Sequence, residues 1–165
     1  MKNRFPTIVK VTLVSLYLIF LAGSIVRMTG SGMGCPDWPK CFGYYIPTTS
    51  EEQITWQPNT TYKKGIIIIK DEVLYVAEKK VSTSLLFNEA NWEEYTKHEY
   101  ATFNKFHTCV EYINRLVTVV SGFIFLFLIV ASLKFRKENK WIPIIAFSAF
   151  FFMLIEAVQI GRAHV

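Results

Sequence analysis

The stretch that decides the fold is Leu116–Leu133, which reads LVTVVSGFIFLFLIVASL and carries no charge. A helix rises about 1.5 Å per residue and the hydrocarbon layer of a membrane is about 30 Å thick, so roughly 20 mostly apolar residues cross it. A second run of similar length, Ile8–Val26, contains one charged residue, Lys10. Both runs therefore predict transmembrane helices.

The composition of the whole chain agrees with a membrane protein. Of its 165 residues, 52% are hydrophobic and 19% are charged, whereas soluble domains carry about 25% charged residues. A third apolar run, Trp141–Ile155, continues past Glu156 to Ile160 and predicts a third helix. The chain has 3 cysteines, which are too few for a disulfide-dense secreted scaffold.

Basic residues predict the orientation of the chain. The N-terminus, with Lys2, Arg4 and Lys10, and the short segment 134–140 are both basic, while acids outnumber lysines in 28–105. Short basic segments stay in the cytoplasm. We therefore expect a multi-pass protein of the cell inner (plasma) membrane with a cytoplasmic N-terminus. The net charge of +5 then follows from topology and predicts no nucleic-acid partner.

The apolar runs divide the chain into segments. A cleaved signal peptide is the alternative for the first run, but a signal core is only about 7–15 residues long and no A-x-A cleavage site follows, so we favour a retained helix. The predicted segments are transmembrane helix 1 at 1–27, an extracytoplasmic cap at 28–105, transmembrane helix 2 at 106–133, a cytoplasmic loop at 134–140, transmembrane helix 3 at 141–159 and a suspected non-native tail at 160–165.

The cap contains local signals of its own. Gly65–Lys70 and Val73–Val76 are apolar runs on either side of Asp71-Glu72 and predict a β-hairpin. The mixed aromatic and charged stretch Asn91–Lys105 predicts a short helix leading into helix 2. The glycines of 30–34 predict a tight exit turn at the membrane surface, because the stretch lacks the Lys-Ser/Thr ending of a phosphate loop.

Four polar residues at the start of helix 2 are the main functional candidates. His107, Glu111, Asn114 and Arg115 share one helical face, and polar groups in a span are functional candidates by default. Glu111 and Arg115 can pair, and His107 can offer its imidazole to a metal. An interfacial belt that reaches up to water is the competing interpretation. His98 lies in the polar segment and is expected to be solvated.

Three further residues near the outer surface are candidates. Cys35 and Cys41 can close a small loop in a compartment that permits disulfides, and a redox role, a shaping role and free thiols all remain open. Arg27, at the outer end of helix 1, can reach up to water or bind an anion such as a carboxylate.

Two of these regions together resemble a known family. The stretch Gly23–Gly43, GSIVRMTGSGMGCPDWPKCFG, closely resembles the first-helix exit and outer loop of heme A synthases. The stretch His107–Leu116, HTCVEYINRL, is similar to the Glu-Tyr-x-His-Arg motif on that family's second helix. The insert 44–100 lies outside both motifs.

The resemblance implies a fold and an activity. It implies an all-α membrane protein, here three transmembrane helices of a four-helix half-bundle, with the small extracytoplasmic cap and its hairpin added. The family oxidises a methyl group of heme O to the formyl group of heme A for cytochrome oxidase biogenesis. The implied partners are heme O as substrate, the lipid bilayer, heme O synthase and cytochrome oxidase assembly factors. Heme b is expected in a C-terminal half beyond this chain.

The resemblance also implies roles for the candidate residues. Glu111 is the essential acid, and Cys35 and Cys41 match the outer-loop pair that is linked to disulfide chemistry in part of the family. Asn114 stands where the motif has histidine, and Asn is a poor iron ligand. We therefore expect His107 to be the iron ligand instead.

The chain is expected to be the N-terminal part of such an enzyme and to be inactive alone, and His164 in the suspected tail is left out of the site. Arg27 and Arg115 are placed to meet the heme propionates. A membrane thiol–disulfide oxidoreductase built on the two outer cysteines is one alternative, although no second reactive pair is present. A non-catalytic assembly factor that binds through residues 44–104 is another.

Overall fold

The computed structural model describes residues 4–96 and 102–162, and the side chains among them up to residue 156. The chain is mostly helical, with α1 at Phe5–Thr29, α2 at Lys105–Ser132 and α3 at Trp141–Arg162. By length and composition, α1 and the helical segment Lys105–Phe135 can each cross a membrane, and these are the two such helices among the described residues. The apolar part of α3 described there, Trp141–Glu156, is shorter.

The chain divides into two compact units, one formed by residues 28–112 and the other by residues 1–27 together with 113–165. We call the first the cap unit and the second the helical unit. The first turns of α2, up to Tyr112, belong to the cap unit.

Many of the buried positions of the helical unit carry small side chains, although Phe125 and Leu128 are buried as well. Ser15 and Ser121 are 5% and 2% exposed, and the Ser121 hydroxyl donates a hydrogen bond to the Ser15 carbonyl oxygen at 3.4 Å. Small residues let helix backbones approach closely. Many large apolar side chains are exposed, such as Phe20, Phe123 and Phe127, at 65%, 68% and 57%. Such a surface is suited to lipid and not to water.

Among its described residues, the cap unit contains five strands in two antiparallel sheets. The strands are β1 at Thr61–Tyr62, β2 at Ile67–Lys70, β3 at Val73–Ala77, β4 at Val81–Ser82 and β5 at Trp92–Glu94; β1 pairs with β4, and the larger sheet has the order β2-β3-β5. The predicted hairpin is confirmed as β2-β3. Its turn residues Asp71 and Glu72 both have positive φ angles, 51° and 62°, which is the turn geometry that matches the natural twist of a hairpin.

The helix predicted for Asn91–Lys105 is wrong. Trp92–Glu94 forms β5, which pairs with β3 so that Ala77 lies opposite Trp92. The Trp92 ring is 8% exposed and packs edge-on against Tyr62 at 5.3 Å, so burial of a large aromatic side chain outweighs weak local helix propensity. Residues 97–101 of that prediction lie outside the described residues. The cap therefore contains more strand than the single predicted hairpin.

Two apolar clusters cover opposite faces of the hairpin. Ile67 belongs to one cluster, and Ile66 and Ile68 belong to the other. Successive side chains of a strand point to opposite faces, so the unbroken Ile66–Ile69 run is explained by burial on both sides. The cluster around Ile67 consists of Cys35, Cys41, Phe42, Ile54, Ile67 and Leu74.

Gly43 and Gly65 provide a matched pair of substitutions, because both have φ angles of 82°. A Cβ at Gly43 would lie 2.3 Å from the Gly65 carbonyl oxygen, whereas a Cβ at Gly65 meets nothing within 4 Å. We expect Gly65→Ala to lower the free energy of unfolding by about 1 kcal/mol, the cost of a left-handed conformation for alanine. Gly43→Ala adds a backbone clash, so its loss should exceed about 2 kcal/mol.

The measurement is denaturant unfolding of the detergent-solubilised chain, followed by tryptophan fluorescence. Equal losses for the two variants would contradict the close contact between Gly43 and the start of β2.

Candidate functional site

The segment from Gly30 to Gly43, which we call the cysteine loop, starts with the predicted tight turn. Gly30 has a left-handed conformation with φ of 65°, and a 3-10 turn follows at Ser31–Met33. The Sγ atoms of Cys35 and Cys41 are 2.03 Å apart, and the two residues are only 4% and 1% exposed. Both cysteines thus belong to the core of the cap unit.

One peptide group connects the cysteine loop to α2. The carbonyl oxygen of Gly34 accepts a hydrogen bond from Thr108 Oγ1 at 2.8 Å. The N–H of Cys35, at the other end of the same peptide group, donates to Glu111 Oε2 at 2.8 Å. Thr108 and Glu111 are three residues apart and therefore neighbours on one face of α2. Both polar ends of the Gly34–Cys35 peptide are satisfied by this helix.

This contact requires glycine at position 34. A Cβ there would lie 2.5 Å from the carbonyl carbon of His107 and 2.7 Å from the Thr108 nitrogen. Gly34 has φ of −75°, which any residue can adopt, so the requirement comes from close approach of two backbones and not from backbone conformation.

The opposite end of the cysteine loop is attached to the sheet. Ile67 at the start of β2 donates its N–H to the Phe42 carbonyl oxygen at 3.2 Å, and Cys41 and Tyr44 exchange two backbone hydrogen bonds of 2.8 and 3.1 Å. The Gly43 N–H donates to Asp37 Oδ2 at 3.0 Å. The loop is therefore held by α2 at Cys35 and by the β-hairpin at Phe42.

Tyr95, just after β5, adds a further hydrogen bond to the loop. Its hydroxyl donates to the Pro36 carbonyl oxygen at 2.9 Å. Partial burial raises the pKa of the Tyr95 phenol, and the negative charge of Asp37 raises it further. The hydroxyl thus remains protonated, and able to donate, well above neutral pH.

Glu111 is the most buried of the predicted site residues on α2, at 7% exposure. A carboxylate out of water is unfavourable unless hydrogen bonds satisfy it, and the Cys35 N–H supplies one of them. A hydrogen bond to an ionised acceptor is roughly twice as strong as one between neutral groups. The carboxylate and the cysteine loop therefore hold each other in place.

His107 lies in the first turn of α2 and is partly buried. Asn104 caps this helix, because its Oδ1 accepts from the N–H groups of Phe106 at 2.9 Å and His107 at 3.3 Å. Across residues 4–96 and 102–162, no three His, Cys, Asp or Glu side chains group together as a metal site. His107 is one helical turn from Glu111. Among the described residues, it is the histidine that could bind an iron.

The remaining predicted residues belong to the helical unit. Arg27 is exposed in the last turn of α1, and Asn114 and Arg115 are partly buried on α2. The Asn114 carbonyl oxygen accepts a hydrogen bond from Thr118 Oγ1 at 3.0 Å. His98 and His164 lie outside the described residues.

Sequence reasoning missed Thr108 and Gly34. Thr108 is fully buried, at 0% exposure, and precedes Glu111 by three residues. That spacing was a usable signal, because a hydroxyl one turn from a buried acid lies on the same helical face. The sequence carried no comparable signal for the approach of Gly34 to α2, which is a contact between residues distant in the chain.

Comparisons with known proteins agree with the resemblance. Residues 6–81 match the family described as "Cytochrome oxidase assembly protein". The chain is 41% identical over 46 residues to the heme A synthase of Shewanella oneidensis, covering 27% of this chain and 14% of that protein. It is 41% identical over 49 residues to the heme A synthase of Alkalihalophilus pseudofirmus, covering 29% of this chain and 16% of that protein. No solved structure matches the chain significantly.

The class of protein defined by the fold and the comparisons is a mostly helical chain with two membrane-capable helices and a small β-containing cap. The resemblance to the heme A synthase family is confirmed, over short stretches of the chain. The matched segments span about a seventh of the length of these relatives.

Gly34→Ala tests the contact between the cysteine loop and α2. We expect the free energy of unfolding to fall by more than about 2 kcal/mol, because one of two backbones must move and the hydrogen bonds to Thr108 and Glu111 weaken. Denaturant unfolding in detergent measures the loss. The matched control is Gly122→Ala on α2, where a Cβ meets nothing within 4 Å and alanine favours the helix. A Gly34→Ala variant as stable as this control would refute the contact.

Proposed function

We propose that this chain is the N-terminal part of a membrane heme A synthase, which oxidises a methyl group of heme O to the formyl group of heme A. One observation supports the proposal most strongly: the two segments that carry the family resemblance contact each other. Glu111 of the second segment accepts a hydrogen bond from Cys35 of the first, and Thr108 donates to Gly34. Such pairing is expected if both segments serve one site.

In this proposal heme O is the substrate and His107 binds its iron. A neutral imidazole is a common axial ligand of heme iron, and His107 is partly buried near the start of a long apolar helix. The apolar faces of α1 and α2 suit the porphyrin, which is apolar apart from its propionates. Asn114 stands in place of the motif's histidine on α2. Arg27 and Arg115 supply positive charge for the propionates.

Glu111 acts as the catalytic acid or base in this proposal. Its carboxylate is buried and hydrogen-bonded, so its position is defined before substrate arrives. A preorganised carboxylate can orient a water molecule and accept a proton from it at a fixed position. Neutralisation of Arg115 is the competing role, and it predicts a much smaller effect of substitution on turnover.

We further propose that the chain crosses the inner (plasma) membrane several times with its N-terminus in the cytoplasm, so that residues 28–105 lie outside. In that oxidising compartment Cys35 and Cys41 form a disulfide. The burial of both cysteines argues for a structural disulfide over a thiol–disulfide oxidoreductase, because exchange requires access to a sulfur atom. The proposal also includes heme b in a C-terminal half. Its further proposed partners are heme O synthase and cytochrome oxidase assembly factors.

His107→Ala tests iron ligation. Heme O titrated into the detergent-solubilised chain should give a Soret band typical of imidazole ligation, and the variant should lose that band because it lacks the imidazole. His98→Ala, in the polar segment, is the control and should bind as the unmodified chain does. An unchanged spectrum for His107→Ala would exclude this residue as the ligand, and absence of heme binding by every form would favour a non-catalytic assembly factor.

Glu111→Gln tests the proposed catalytic role in a chimera in which this chain replaces the matching N-terminal region of the Shewanella oneidensis relative. We expect the ratio of heme A to heme O in extracted membranes to fall at least about 100-fold, the usual contribution of a general acid or base. The control is Glu94→Gln on the exposed edge of β5. A fall of less than about threefold would assign Glu111 a charge-neutralising role instead.

A further inference from the structure

The Gly34–Cys35 peptide group joins two features that the proposed function treats separately, the cysteine pair and the acid on α2. We propose that Thr108 is a positioning residue that couples the redox state of the Cys35–Cys41 pair to the carboxylate of Glu111. The inference rests on the disulfide and on the role of Glu111 proposed above.

The coupling begins with the rigidity of one peptide group. Its N–H and C=O lie in one plane and point in opposite directions. Thr108 holds the oxygen end at 2.8 Å, and Glu111 accepts from the nitrogen end at 2.8 Å. Any rotation of this group that weakens one hydrogen bond therefore weakens the other. Thr108 thus fixes the direction in which the Cys35 N–H points, and with it the hydrogen bond that Glu111 accepts.

The coupling reaches the sulfur atoms through Cys35, because the N–H of this residue and its thiol share one Cα. The far end of the cysteine loop is held by backbone hydrogen bonds between Cys41 and Tyr44 and from Ile67 to Phe42. When the sulfur–sulfur bond is broken, the two sulfur atoms must separate. Cys41 exchanges two backbone hydrogen bonds with Tyr44, so we expect the displacement to fall mainly on Cys35 and to loosen its hydrogen bond to Glu111.

Thermodynamic linkage makes this effect reciprocal. If the hydrogen bonds to Thr108 and Glu111 are stronger in the oxidised form, they stabilise the disulfide by the same factor by which the disulfide strengthens them. Oxidation of the cysteine pair therefore strengthens the hydrogen bond that holds the Glu111 carboxylate in position, and reduction weakens that hydrogen bond. Removal of the Thr108 hydroxyl should shift the redox equilibrium although this residue carries no sulfur and no charge.

The experiment measures the equilibrium between the full chain in detergent and dithiothreitol. Reduction cleaves the sulfur–sulfur bond with two electrons and two protons from dithiothreitol, which becomes its cyclic disulfide. A maleimide mass tag counts the thiols. Cys109 is free and the chain has 3 cysteines, so the oxidised form carries one tag and the reduced form carries three. No heme and no turnover are needed, so failure of the heme O proposal would not affect the result.

We expect Thr108→Val to shift the equilibrium constant about fivefold toward the reduced form, which corresponds to loss of one buried hydrogen bond. Thr108→Ser keeps the hydroxyl and should restore the original value. Thr118→Val is the matched control, because Thr118 lies on the same helix and its hydroxyl donates to the Asn114 carbonyl oxygen within that helix. This variant should leave the constant unchanged. A purely structural role of Thr108 would lower stability without this specific shift and rescue.

Glu111→Gln provides a second test, by the same measurement of the redox equilibrium, that does not depend on the folding of Thr108→Val. The amide oxygen still accepts from the Cys35 N–H, but more weakly than a carboxylate, so a shift of about twofold to threefold in the same direction is expected. Wild-type constants in both Thr108→Val and Glu111→Gln would overturn the inference, as would an equal shift in Thr118→Val. Three tags on the unmodified chain under oxidising conditions would also overturn it, because the cysteines would then be unbridged.

Discussion

The close approach of Gly34 to the first turns of α2 is the constraint on which the rest of the cap unit depends. A Cβ at this position would overlap the backbone of His107, so the cysteine loop can rest on the helix only through a glycine. That approach brings the Gly34–Cys35 peptide within reach of Thr108 and Glu111. Burial of the Glu111 carboxylate is acceptable because the same contact supplies a hydrogen-bond donor.

The β-containing insert gives the cysteine loop a second support besides α2. The cysteine loop is short and has apolar side chains, such as Phe42, that need a partner to be buried. The hairpin β2-β3 provides the apolar cluster in which Cys35, Cys41 and Phe42 are buried together with Ile67. Backbone hydrogen bonds from Ile67 and Tyr44 hold the far end of the loop. The insert thus supports the loop from the side opposite α2.

The two units follow different physical rules. The helical unit exposes many large apolar side chains and buries several small ones, such as Ser15 and Ser121, beside Phe125. Exposed apolar surface with small residues at helix contacts is the pattern of helices that face lipid. The cap unit buries Ile67, Ile68 and Trp92 as a water-soluble domain does. The change occurs within α2, whose first turns belong to the cap unit and whose remainder belongs to the helical unit.

The sequence alone determined the long apolar helices, because run length and the absence of charge are local properties. It also determined the hairpin, whose strands and turn are adjacent in the chain, and it carried the resemblance to heme A synthases in contiguous motifs. Tertiary structure decided the rest. The strand at Trp92 formed because β3 offered an edge and an aromatic cluster, and the hydrogen bonds of Glu111 and Thr108 to the cysteine loop join residues more than 70 positions apart. Such contacts depend on close packing between distant segments, which local patterns do not encode.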